Sequence, residues 1–206
     1  MAFYDPVTER LRFLRVLTPK GLKGLADARI SELVLKELGR SRTRIDALTA
    51  RYPSASSREL ANRLIDNKKG LAGMIGGVSG VFGLASVPAD LMVMLWLELV
   101  LLVDIATVHK VNLKSERSRT ELLDLFGYMN GVGPMQRAGP KVLGKIATVL
   151  LERGGLSVVG RAVPLVAAPI SAYLNSQHLQ KIGDEAVRHY EGFQKVRTKA
   201  KGKKAS

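Results

Sequence analysis

Apolar residues recur along this chain at the three- and four-residue intervals of helices, while the alternation of a half-buried strand is almost absent. Asp5 and Pro6 read as an N-cap followed by proline at the first helical position. Val7, Leu11, Leu14 and Leu17 then share one face, with Arg10, Arg12 and Arg15 elsewhere around the wheel. Thr18 and Pro19 repeat the start signal, and the spacing of Leu22, Leu25, Ile30, Leu33, Val34 and Leu38 predicts a second helix that Gly39 stops. A polar stretch over 51–57 precedes a short helix expected at about 58–68. Ser86 and Pro88 open another, apolar from Leu91 to Val108 except for Glu98 and Asp104. A further apolar region, Val142 to Leu174, is interrupted by glycines and prolines. The last long helix, roughly 169–194, should place Ile170, Tyr173, Ile182, Ala186, His189 and Phe193 along one side.

Between Gly70 and Ala89 there is no charged residue. A membrane span needs roughly 20 apolar residues, so this stretch raises the question of a spanning hairpin over 70–108. Its glycines, Gly73 with Gly77 and Gly76 with Gly80, lie at the four-residue spacing that lets helix backbones approach closely. A buried hairpin in a helical domain would use the same glycines. Mean hydropathy is only +0.06. Asp90, Glu98 and Asp104 fall within about 120° of one wheel, and carboxylates at membrane depth are costly. The buried or membrane-surface form is therefore preferred, with an integral hairpin as the alternative. Asp90 also lies in a first helical turn, where a carboxylate interacts well with the helix dipole.

Composition narrows the class. Of 206 residues, 46% are apolar, enough aliphatic content to bury a core. No cysteine is present, so disulfides, thiolate metal sites and thiol nucleophiles are excluded. The 32 Lys and Arg against 18 Asp and Glu leave a formal charge of +14, which favours an acidic partner. The tail over 195–206 holds Lys195, Arg197, Lys199, Lys201, Lys203 and Lys204 and no acid, and it is expected to be disordered. The opening residues lack the uninterrupted apolar stretch of a secretory signal, so the cytoplasm is the expected compartment.

Catalytic motifs fall short. Gly139 to Lys145 has P-loop spacing, but Ile146 stands where the magnesium-binding hydroxyl is required and Pro140 removes a loop amide. Gly131 and Gly133 lack the third glycine of a dinucleotide fingerprint. His178, Glu185 and His189 share a helix face, yet the two histidines are roughly 16 Å apart along it, too far for one ion. No cofactor and no metal are expected.

The order of segments resembles the EcsC family of bacterial proteins. The Gly-rich stretch Gly70 to Gly83, the helix opening Ala89-Asp90 and the apolar run Leu91 to Val111 are similar to the family pattern. So are the small-residue segment Pro164 to Asn175 and the continuation from Ile182-Gly183 to Ala186. Where many members have Tyr-Gly near the turn, this chain has Val108-His109-Lys110. The resemblance covers roughly 60–195 and brings no agreed catalytic set. It implies an all-helical, membrane-linked protein.

These readings predict an all-α, single helical domain around a Gly-rich apolar hairpin. Its parts are a basic helical layer over 1–57, an EcsC-like core over 58–194, and the basic tail. The expected function is non-enzymatic, at the inner face of the cytoplasmic membrane, with a link to transport or membrane homeostasis. Anionic lipid is the expected partner, a membrane protein a further one, and the six tail cations the contact. Two alternatives stand beside it: a lipid-binding or hydrolytic protein with a pocket near Asp90, Glu98 and Asp104, and a nucleic-acid-binding protein. The second has few aromatics for stacking on bases.

Overall fold

A computed structural model describes residues 27–82, 87–131 and 164–202, and within them the fold is all-α, with five helices and no strand. These are α1 (Asp27–Arg51), α2 (Ser57–Phe82), α3 (Val87–Val108), α4 (Glu116–Met129) and α5 (Pro164–Gly202). The expected helix at 7–17, the P-loop-like segment and Lys203 and Lys204 lie outside the described residues.

The centre of the molecule is α3. From Met94 to Val108 almost every side chain is buried, including Leu95, Leu97, Leu99, Val100, Leu101, Leu102, Val103, Ile105 and Ala106. A helix that is apolar all round must be enclosed by protein or by lipid. Here protein encloses it, because each of the other four helices packs against it. Among the described residues, no helix is long and apolar enough to cross a membrane.

The most extensive packing is between α2 and α5. Their contacts run in opposite order along the two chains: Arg58 pairs with Glu191, Ile65 lies over Gly183, and Gly73 approaches the Ala172 carbonyl. The two helices are therefore antiparallel along the length of α2. Gly183 makes the approach close. A Cβ placed there would lie 2.5 Å from Ile65 Cγ1 and 2.7 Å from its Cδ1, and Ile65 is itself fully buried. Of the glycine ladder, Gly73 is in ordinary contact distance, with a Cβ 3.8 Å from the Ala172 oxygen. The surroundings of Gly76, Gly77 and Gly80 lie outside the described residues.

Several boundaries differ from expectation. Gly39 does not stop α1, which runs on to Arg51. It keeps helical backbone because Leu38, Ser41, Ile45 and Leu48 continue the buried face on either side of it. Likewise the expected short helix at 58–68 continues through the glycines to Phe82, held by its packing on α5. Its start is set by Ser56, whose Oγ accepts the Glu59 amide at 3.2 Å. On α5, Ile182 and Ala186 are buried as expected, but Tyr173 and Phe193 are exposed, and Leu179, Val187 and Tyr190 complete the inner face. The helix also runs through Gly202, so residues 195–202 have helical backbone where irregular chain was expected. Lysines and alanines are good helix formers, and cations near a helix C-terminus are favoured by its dipole.

The end of α3 is closed by paired backbone bonds, Val111 N–H to Ala106 O and Lys110 N–H to Thr107 O, both 2.9 Å. Lys110 takes the left-handed position (φ 57°) that glycine usually occupies. Gly131 (φ 77°) does the same after α4, which gives this glycine a helix-stopping role.

Gly183→Ala should lower stability by about 1–3 kcal/mol in chemical denaturation, since the new methyl has to displace a buried isoleucine. Ile65→Ala, harmful in the parent, should cost markedly less in the Gly183→Ala background. Additive effects would mean that the two sites do not press on each other.

Candidate functional site

The three acids of α3 were the candidate site residues, and the two whose side chains are described go to different places. Glu98 and Asp104 are six residues apart, about 9 Å along the axis and roughly 120° around it, so they face different neighbours. They do not share a pocket. The side chain of Asp90 lies outside the described residues.

Asp104 is fully buried and faces α1 and α2. Arg44 donates to its Oδ1 through Nη2 at 2.6 Å and Nε at 3.2 Å. The same Nη2 donates to Glu37 Oε1 at 2.7 Å, and Arg40 reaches Glu37 Oε2 at 3.5 Å. Lys68 of α2 places its Nζ 3.9 Å from Asp104 Oδ2. Two acids and two main bases thus meet on the inner side of α1. Glu37 and Ser41 occupy the middle of its buried face, and the Ser41 hydroxyl has no hydrogen-bond partner among the described residues. Burial works against the charge on Arg44, but Asp104 and Glu37 outweigh it and hold the guanidinium pKa above its ordinary value. This cluster ties α1, α2 and α3 together, which is a structural use of Asp104.

Glu98 is buried on the opposite flank. Its Oε2 accepts Asn130 Nδ2 at 2.9 Å and its Oε1 is 2.9 Å from His178 Nε2. Asn130 caps the C-terminus of α4, and its Nδ2 also donates to the Phe126 carbonyl at 2.9 Å. His178 comes from α5 and keeps 40% of its side-chain surface in solvent. The hydrogen bond to Glu98 raises the imidazole pKa above its usual 6.5, against the opposing effects of burial and of Lys181. Glu98 is thus paired with a titratable side chain that keeps part of its surface in water.

The helical-wheel trio of His178, Glu185 and His189 does not assemble. His178 pairs with Glu98, Glu185 with Arg188, and His189 Nε2 lies 3.1 Å from Glu121 Oε1 of α4. His189 also stands edge-on to Tyr190, with ring centroids 5.1 Å apart. Burial, with Glu121 adding to it, pushes the Tyr190 phenol above its ordinary pKa. Among the described residues no group of three or more His, Asp or Glu is placed to hold a metal ion. The side chains of Lys195, Arg197, Lys199 and Lys201 lie outside the described residues.

Arg44, Glu37, Lys68 and Asn130 carry these sites and were not singled out from the sequence. One signal was available for the first two. On α1, Glu37 and Arg44 are seven residues apart, two turns along one stripe, and they flank Leu38 and Ser41. Nothing in the sequence marks Asn130 or Lys68.

Arg44→Met should destabilise the protein by about 3 kcal/mol, the low end for a broken buried pair because Arg44 is itself 34% exposed. Adding Asp104→Leu should recover much of the loss in the same denaturation assay, since it removes the stranded carboxylate. For His178 the sign follows from the raised pKa. Its contribution is complete below the unfolded value near 6.5 and is lost as pH rises through the higher folded value. The melting temperature should therefore fall as the pH rises past about 6.5, and His178→Gln, which keeps a donor for Glu98 without titrating, should flatten that part of the profile. An unchanged profile in the variant would remove His178 as its origin.

No family model, no curated protein sequence and no solved structure matches this chain.

Proposed function

We propose that this chain is a non-enzymatic helical protein of the EcsC type that works at the inner face of the cytoplasmic membrane, in connection with transport or membrane homeostasis. The observation that carries the reading is where the charges go. Five acids are engaged within the fold, Glu37 and Asp104 with Arg44, Glu98 with His178, Glu121 with His189, and Glu191 with Arg58, while Glu32, Asp46, Glu59, Asp66 and Glu116 are exposed. Lys36, Arg42, Lys110, Lys114, Arg117 and Lys181 are exposed. A chain of net charge +14 therefore turns an excess of cations outward. An anionic bilayer attracts each cation near its surface by about 1 kcal/mol, and the attraction weakens with salt.

The lipid-binding or hydrolytic reading keeps one foothold, the half-exposed His178 seated on buried Glu98. No nucleophile is positioned against it among the described residues, so it ranks second.

Co-sedimentation with vesicles tests the proposal. The full chain should bind vesicles of phosphatidylcholine and phosphatidylglycerol at low salt and much less at high salt, and should ignore phosphatidylcholine alone. A version ending at Gln194, which lacks six cations, should bind at least about tenfold more weakly. Failure of the full chain to bind anionic vesicles overturns the proposal. Retention of DNA or RNA at moderate salt by such a chain would put nucleic acid in the place of lipid.

A further inference from the structure

Charge is unevenly distributed along the antiparallel α2–α5 pair. On α2, no Asp, Glu, Lys or Arg occurs from Gly70 to its end at Phe82, and on α5 none occurs from Pro164 to Gln180. The contacts between Ile65 and Gly183 and between Gly73 and Ala172 bring these two charge-free stretches side by side. At a rise of 1.5 Å per residue they form an end about 20 Å long without Asp, Glu, Lys or Arg, bounded on α5 by His178. The acids and bases of the pair, Arg58 and Glu191 among them, lie toward the other end.

This end has large apolar side chains in solvent. Met74 is 63% exposed, Tyr173 64% and Leu174 52%. Met74 follows Gly73, and Tyr173 and Leu174 follow Ala172, so the three flank the point where the two backbones approach. Along α5 the exposed positions at four-residue spacing are Pro169, Tyr173, Gln177 and Lys181. That stripe passes from apolar through amphipathic and polar to cationic over about 18 Å. On α2, Lys69 is half-buried one turn before Met74.

We infer that this end of the α2–α5 pair is the surface that enters the bilayer, with Met74, Tyr173 and Leu174 in the boundary between headgroups and acyl chains. Tyr173 suits that layer because it has an apolar body and a polar tip. Lys181 and Lys69 then lie at the level of the phosphates, where long side chains extend toward the anionic layer. The inference rests on the membrane reading above and adds the surface and its orientation. Charge selects lipid over a second copy of the chain as occupant. Two copies, each of net charge +14, repel, whereas an anionic bilayer attracts the same surface.

The chain has no cysteine, so a single introduced one carries a unique label. Met74→Cys and Tyr173→Cys are labelled with an environment-sensitive nitrobenzoxadiazole, and Thr43→Cys, exposed on α1, serves as the reference. On phosphatidylcholine–phosphatidylglycerol vesicles the labels at 74 and 173 should shift to the blue, gain intensity several-fold and be quenched by doxyl lipids, while that at 43 stays aqueous. Tyr173→Glu with Leu174→Glu, both at exposed positions, should weaken vesicle binding by about tenfold with unchanged circular dichroism. Vesicle binding with all three labels aqueous overturns this inference and leaves the membrane reading standing. Absence of vesicle binding overturns both. A blue shift without lipid overturns the inference too. If it grows with protein concentration the occupant is a second copy, and if it does not, the chain covers its own patch.

Discussion

Asp104 has no exposed surface, and taking a bare carboxylate out of water costs several kcal/mol. Arg44 meets that cost with two hydrogen bonds from a helix sixty residues earlier in the chain. Much of the packing around α3 follows from this demand. Arg44 needs α1 laid along α3, and the second acid, Glu37, then sits on the same inner face and shares the guanidinium. Lys68 brings α2 to the same place. The cluster therefore orients three helices whose apolar surfaces alone would leave them free to rotate or slide, because aliphatic contact is non-directional and the hydrogen bonds of a guanidinium are not.

Glu98 repeats the device with weaker partners. Asn130 is neutral and His178 titrates, so this carboxylate is held by a side-chain amide and by an imidazole that stays open to water. One helix thus carries two buried acids with different consequences. Arg44, at the centre of the Asp104 cluster, stays charged across the physiological range, since arginine does not titrate there. The Glu98 cluster joins α3, α4 and α5 through a bond whose strength depends on protonation.

Pairing α2 with α5 antiparallel has a second effect. Each helix is polarised, α2 with its charges first and α5 with its charges last, and the antiparallel arrangement aligns the two gradients. Gly183 and Gly73 let the backbones come close enough for one charge-free end to form. Had the helices been parallel, charged and uncharged stretches would alternate and no apolar end would exist. The exposed Met74, Tyr173 and Leu174 follow from that register.

Helical periodicity, the absence of strand alternation and the all-round apolarity of Leu91 to Val108 were legible in the sequence, because each depends on residues a few positions apart. So was the need of Asp104 for a base, since it follows three aliphatic residues. Helix ends were less legible. Gly39 looks like a stop to a local rule, and only burial on both sides of it shows why that helix continues; the helix expected at about 58–68 likewise runs on to Phe82 through its packing on α5. The faces of α5 were misjudged at Tyr173 and Phe193 because an apolar residue is equally consistent with a core and with an exposed patch. The sequence by itself determined which groups would have to be satisfied: a buried run with two acids, a glycine-rich helix, and a large excess of cations. Tertiary structure alone decided the partners, Arg44 for Asp104, His178 for Glu98 and Gly183 beneath Ile65. These pairs are separated by 60 to 118 positions. Their meeting depends on the rotation and register of whole helices, which no local pattern encodes.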